Sequence, residues 1–174
     1  MAHNIYIDES IRDSYILCAV SVPTGQITVA RRQIRRLREP GRTSIHMQKE
    51  TRTRQLQIST QIGQIPFGVI LIQVSMAGET DLSARLKALE AVFTHPSTLG
   101  SQLVTFDNSN SINQDKRLLA SIKSRFGVSV PHFRHIKYTH EPLLWLPDIV
   151  AWCYGRGGPW RDAVEPLVDE VIEI

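Results

Sequence analysis

At 174 residues and 42% hydrophobic content, the chain is long enough for one sizeable core and short for two, so a single domain over 1–174 is expected. No apolar run approaches the ~20 residues that span a bilayer, and Met1-Ala2-His3-Asn4 lacks the basic start and long apolar stretch of a signal peptide. These features argue against a membrane or secreted protein and for a cytoplasmic one. The formal charge is only +3, but its distribution is uneven: Arg31, Arg32, Arg35, Arg36, Arg38, Arg42, Lys49, Arg52 and Arg54 face only Glu39 and Glu50.

The elements follow in chain order. Asn4 to Ile7 and Tyr15 to Val22 read as two strands of a hairpin, with the polar stretch Asp8 to Ser14 at its tip. Pro23-Thr24-Gly25 ends the second strand. Ile27, Ala30, Ile34 and Leu37 then recur at helical spacing with arginines on the other faces, which predicts an amphipathic helix stopped by Pro40-Gly41. Thr43 to Met47 reads as a short strand and Lys49 to Gly63 as an exposed helix. Phe67 to Val74 is a near-continuous apolar run, as in a central strand covered on both faces. A helix capped by Thr80 or Asp81 should bury Leu82, Leu86, Leu89 and Phe93.

The strand Gln102 to Phe106 delivers Asp107 to a polar turn, Asn108-Ser109-Asn110-Ser111. A helix burying Ile112, Leu119, Ile122 and Phe126 follows and stops at Gly127. Val128 to Tyr138 should hold the last strand. Pro147 to Tyr154 reads as a helix with proline first, and Trp160 to Ile174 as a terminal helix broken at Pro166. Cys18 and Cys153 sit in apolar sequence, as buried free thiols of a reducing compartment do. Strands first, then strands alternating with helices, imply an α/β fold: a mixed sheet flanked by helices.

Three aspartates each interrupt a run that is otherwise hydrophobic: Asp8 after Ile5-Tyr6-Ile7, Asp107 after Leu103-Val104-Thr105-Phe106, and Asp148 in the first turn of an apolar helix. Acids at strand ends face one crevice in such sheets. Converging carboxylates suit a hard cation, Mg2+ or Mn2+, which prefers oxygen ligands and leaves water positions open for phosphate. Such a site hydrolyses phosphodiesters. Aspartate also starts turns and complements helix dipoles, so the three carry the reading only together. Glu9, if it stays in the strand, points to the face opposite Asp8. Glu50, at the start of a helix, is either a fourth ligand or a partner of the positive helix end.

His46, between Arg42, Lys49, Glu50 and Arg52, is a candidate for proton transfer or phosphate contact, or else a structural histidine. Arg42, Lys49 and Arg52 are the candidate nucleic-acid contacts, because planar or compact cations suit phosphate. His132 and His135 lie an odd number apart, facing opposite sides of a strand, which leaves little basis for a zinc site with His140. Trp152 reads as core and Trp160 as the better surface candidate, where an indole can stack on an unpaired base. No serine-hydrolase elbow, phosphate-binding Gly-Lys-Ser/Thr loop or dinucleotide glycine fingerprint is present.

Three segments carry a resemblance: Ile5-Tyr6-Ile7-Asp8-Glu9-Ser10, Ile45-His46-Met47, and Leu144-Trp145-Leu146-Pro147-Asp148-Ile149-Val150-Ala151. In this order they resemble the opening strand, central histidine segment and late aspartate helix of the bacterial domain of unknown function 3800 family, which is regarded as ribonuclease H-like. The resemblance implies a ribonuclease H-like mixed sheet flanked by helices, an acidic centre of Asp8, Asp107 and Asp148, and His46 beside it. By analogy with that fold, Glu50 occupies the place of a helical glutamate ligand. Ile11 stands where the family has glycine, and Pro147 where it has alanine. The reading is therefore a metal-dependent nuclease acting on DNA or RNA. The alternative is an inactive nucleic-acid-binding or complex-forming module of the same fold, in a bacterial defence or mobile-element system, as a homo-oligomer or in a larger complex.

Overall fold

The computed structural model describes residues 1–108 and 112–174. Ser109, Asn110 and Ser111, three of the four residues of the expected polar turn, lie outside the described residues.

Six strands form one mixed sheet: β1 (His3–Ile11), β2 (Ser14–Pro23), β3 (Gly68–Ser75), β4 (Leu103–Asp107), β5 (His132–Ile136) and β6 (Glu170–Glu173), in the order β5-β4-β1-β2-β3-β6. β1, β2 and β3 are an antiparallel meander, while β4 runs parallel to β1, β5 to β4 and β6 to β3. Seven helices complete the described residues: α1 (Ile27–Leu37), α2 (Arg52–Gln61), α3 (Asp81–Thr94), α4 (Pro96–Leu99), α5 (Ile112–Phe126), α6 (Trp145–Arg156) and α7 (Gly158–Val164).

Strand alternation sorts the apolar side chains into two cores. Tyr6, Cys18 and Val20 pack with Ala30 and Ile34 of α1, Ile58 of α2, most of α6, and Trp160 and Val164 of α7. Ile5, Ile7 and Leu17, on the other face, pack with Ala88, Leu89 and Phe93 of α3 and Leu119 and Ile122 of α5. Each valine, leucine, isoleucine or phenylalanine among them, fully withdrawn from water, contributes about 1.5–3 kcal/mol. Both faces of the sheet are covered, which explains why Phe67 to Val74 is apolar but for Gln73. That strand is next to the edge rather than central, because β6 covers its outer side.

Several expectations are corrected. β1 runs on to Ile11, so Asp8 lies within the strand, opposite Cys18, and the hairpin turns at Arg12-Asp13. Thr43 to Met47 is not a strand; a 3-10 turn at Met47–Lys49 follows an irregular approach. Trp160 to Ile174 is not a terminal helix broken at Pro166: α7 ends at Val164, a 3-10 turn spans Glu165–Leu167, and β6 pairs with β3. Backbone pairing with β3 outweighs the weak helical pattern of this polar tail. α6 starts at Trp145, so Pro147 is its third residue.

Leu82 and Phe126 are exposed; the buried faces of their helices instead include Arg85 and Asp115. Trp160 is buried and Trp152 only half-buried, the reverse of expectation. Both cysteines are free and buried. No helix among the described residues is long and apolar enough to cross a membrane.

Candidate functional site

The register of β1 on β4 creates the site. Asn4 through Ile7 pair with Leu103 through Phe106, so the next pair in register is Asp8 and Asp107. Both project on the α6 side of the sheet. Neighbouring strands lie about 4.8 Å apart, which sets these two carboxylates side by side where β4 ends. They line a cleft of about 50 Å³ with Ile7, Glu9, Arg85 and Phe106. That space suits a water molecule; Ile7, Glu9, Arg85 and Phe106 bound it from the α3 and α5 face of the sheet, and Asp148 does not line it.

Asp148 is added from above by the first turn of α6, which packs across β1 and β2. It is almost fully buried, and its Oδ2 accepts the Met47 N–H at 3.1 Å. The Tyr138 hydroxyl lies 3.3 Å from the same oxygen and donates to the Ile45 carbonyl. The Tyr138 backbone N–H donates to Asp107 Oδ1 at 2.9 Å. Tyr138 thus touches two of the three aspartates, one through its backbone and one through its ring. Burial, then Asp148 and Asp8, raise its pKa, so its hydroxyl stays protonated as a donor.

The electrostatics of the three acids are unbalanced. Asp8 is partly accessible at the cleft, yet ringed by protein atoms. Its pKa is raised well above the ordinary carboxylate range by burial first, then by Asp148, Glu9 and Asp107. The Asp148 pKa is also raised by burial, against the opposing effects of His46, the Met47 N–H and Tyr138. Carboxylates crowded in this way are stabilised in the charged form by a cation, and the donor set, all carboxylate oxygen, fits a hard divalent one. Among the described residues, no three His, Cys, Asp or Glu side chains already converge tightly enough to grip an ion.

The other expected site residues are divided. His46 is brought in: its Nδ1 is 4.0 Å from Asp148 Oδ2, its side chain is 44% exposed, and its ring packs against Tyr138. Glu9 is turned to the opposite face, as strand alternation demands, where Arg85 holds it at 2.6 Å. Glu50 precedes α2, whose cap is Thr51, and faces Arg54 at 3.7 Å. Lys49 and Arg52 are exposed, while Arg42 lies 3.7 Å from Glu39. Arg31 is engaged inside the protein, donating twice to the buried Glu141, which Arg134 also meets.

Sequence reasoning missed two features. Tyr138 carries no motif that would single it out. Behind the site, Arg85 donates to both oxygens of Asp115, which is wholly buried, and a ring nitrogen of His135 meets Asp115 at 3.0 Å. A signal for this pair exists. Arg85 is in phase with Leu89 and Phe93, and Asp115 with Leu119 and Ile122, so each is a charge on an apolar stripe.

No protein-family model matches the chain, and no curated protein sequence matches it. Solved structures do. The chain is similar to one in the PCNA:RNase HII complex from Archaeoglobus fulgidus, at 16% identity and a TM-score of 0.56, covering 86% of this chain and 69% of that one. It is also similar to ribonuclease H2 from Pyrococcus horikoshii OT3, at 13% identity and a TM-score of 0.55, covering 95% of this chain and 75% of that one. The fold is ribonuclease H-like. A ribonuclease H-like sheet of this order leaves the ends of β1 and β4 adjacent, which is where Asp8 and Asp107 stand.

Proposed function

We propose that this protein is a metal-dependent nuclease that hydrolyses phosphodiester bonds of nucleic acid at Asp8, Asp107 and Asp148. The observation that carries the reading is the crowding of these three carboxylates, two in adjacent register and one from α6. Asp8, Asp107 and Asp148 would hold Mg2+ or Mn2+, which supplies charge neutralisation at phosphate oxygens and a more acidic water. Glu9 and Glu50 are engaged by Arg85 and Arg54, so the site rests on aspartates alone.

The chain's own groups preorganise it. Tyr138 fixes Asp107 through its N–H, while the Met47 N–H orients Asp148 and keeps one of its oxygens occupied. His46, half-exposed beside Asp148, is placed to contact a phosphate oxygen or to pass a proton between the reacting group and solvent. Kinship with the bacterial domain of unknown function 3800 family rests on the three sequence segments already described and belongs to this proposal.

The test is cleavage of DNA and RNA, single-stranded and duplex, with Mn2+ or Mg2+. Asp8→Asn and Asp148→Asn, shown to be folded, should each lose on the order of 100-fold or more, equivalent to ~3 kcal/mol of transition-state stabilisation. Wild-type rates in both variants would overturn the assignment. Calorimetric titration of Mn2+ should give heat with wild type and none with Asp8→Asn. Nucleic-acid binding that survives chelation, with no cleavage under either metal, would favour the inactive binding module.

A further inference from the structure

A second cationic feature lies away from the carboxylates. Gly157 and Gly158, both at positive φ, turn the chain sharply between α6 and α7 and bring Trp160 back beneath the end of α6. Two guanidinium groups converge on that indole. The Arg52 carbon lies 5.2 Å and the Arg156 carbon 4.9 Å from the Trp160 ring centre, and Arg156 also lies 5.9 Å from the Trp152 ring, which meets Trp160 edge-on. Both arginines are exposed, and neither has a carboxylate partner among the described residues, unlike Arg31, Arg54 and Arg85.

Two like charges gathered on one ring repel each other, and stacking on an indole offsets part of that cost. It also holds both guanidinium groups against the indole while both side chains remain exposed. Trp160 is only 7% exposed, so its face is not available to a nucleobase. Such a patch offers rigid, permanently charged, forked donors and no stacking platform, which matches a phosphate backbone rather than a base.

Two chain segments connect the patch to the candidate site. α6 carries Asp148 in its first turn and Arg156 at its end, eight residues or about 12 Å apart. The segment from His46 to Arg52 begins 4.0 Å from Asp148, passes the exposed Lys49 and ends on Trp160. We infer that Arg52 and Arg156, clamped on Trp160, form a phosphate-contact surface that holds the nucleic-acid backbone about three or four nucleotides from the carboxylates, taking 3.4 Å of axis per nucleotide. The inference rests on the nuclease reading and gives its substrate a path across the protein.

The experiment measures binding without cleavage, using a fluorescein-labelled DNA duplex in EDTA over a salt series. Arg52→Gln/Arg156→Gln is compared with wild type and with Lys116→Gln/Arg117→Gln, which removes the same charge from the exposed side of α5. Each lost phosphate contact lowers the slope of log K against log salt by about 0.9. The Arg52/Arg156 pair should therefore lower it by roughly 2, with at least tenfold weaker binding, while the α5 pair leaves the slope near wild type. Equal effects of the two double variants, or none from Arg52/Arg156 while wild type binds, would overturn the surface and leave the nuclease reading standing. Absence of salt-dependent binding by wild type would overturn both.

Discussion

Arg85→Met is the most informative perturbation of the scaffold behind the site. Arg85 donates to Asp115 at 3.3 and 3.1 Å and to Glu9 at 2.6 Å. Burial pulls the Arg85 pKa down, but Glu9 and Asp115 more than offset it, so the guanidinium is charged at every accessible pH. Its loss leaves Asp115, with no exposed surface, facing only His135 among the described residues. Breaking one side of a buried ion pair costs about 3–5 kcal/mol, since the remaining charge is desolvated and unpaired. For a domain of this size that lowers Tm by roughly 10 °C. Urea denaturation followed by far-ultraviolet circular dichroism measures it. Arg85→Met/Asp115→Leu should recover most of the loss, because a well-packed apolar pair replaces a buried ionic one at little cost. A single-variant effect below about 1 kcal/mol, or a double variant in which the two losses simply add, would refute the reasoning.

The raised Asp8 pKa has a defined consequence for the metal-free protein. An aspartate with a folded value above its unfolded one contributes stability that is complete below the ordinary carboxylate range and lost as pH rises through the folded value. Asp8→Asn should match wild type near the acid end of that range and exceed it toward neutral pH, the gap growing by about 1.4 kcal/mol for each pH unit that separates the unfolded and folded values. Mn2+ should close the gap by stabilising wild type alone; a difference that does not vary with pH would rule this out. Burial, then the neighbouring Asp148, pushes the Cys153 thiol up to about 12, and burial with Asp8 raises Cys18 as well. An aromatic disulfide reagent should therefore label neither thiol in the native state and both on unfolding, and rapid native labelling would contradict the packing.

The parts of the fold that were legible in the sequence are those where one local pattern decides the outcome. Ile5-Tyr6-Ile7 reads as a buried strand followed by an acid, and the 27–37 periodicity reads as a helix without ambiguity. Where tertiary pairing decides, the reading failed. Glu170-Val171-Ile172-Glu173 becomes a strand only because β3 offers an open edge. Trp160 is buried because two glycines fold α7 back under α6, a contact that no window of sequence contains. The three aspartates were visible as interruptions of apolar runs. Tyr138, which fastens two of them, was not, because a tyrosine after a strand carries no distinguishing mark until its neighbours in space are known.

Asp8 and Glu9 are consecutive residues with opposite electrostatic fates: one joins a cluster of acids, the other faces an arginine. Sliding β1 by a single residue would exchange them and turn the apolar side chains of Ile5 and Ile7 to the wrong layer at the same time. The correct alignment is therefore guarded twice, by hydrophobic sorting and by charge. A misaligned hairpin would lose its core packing and the juxtaposition of Asp8 with Asp107 in the same step, so one alignment error is registered by both the core and the acidic cluster.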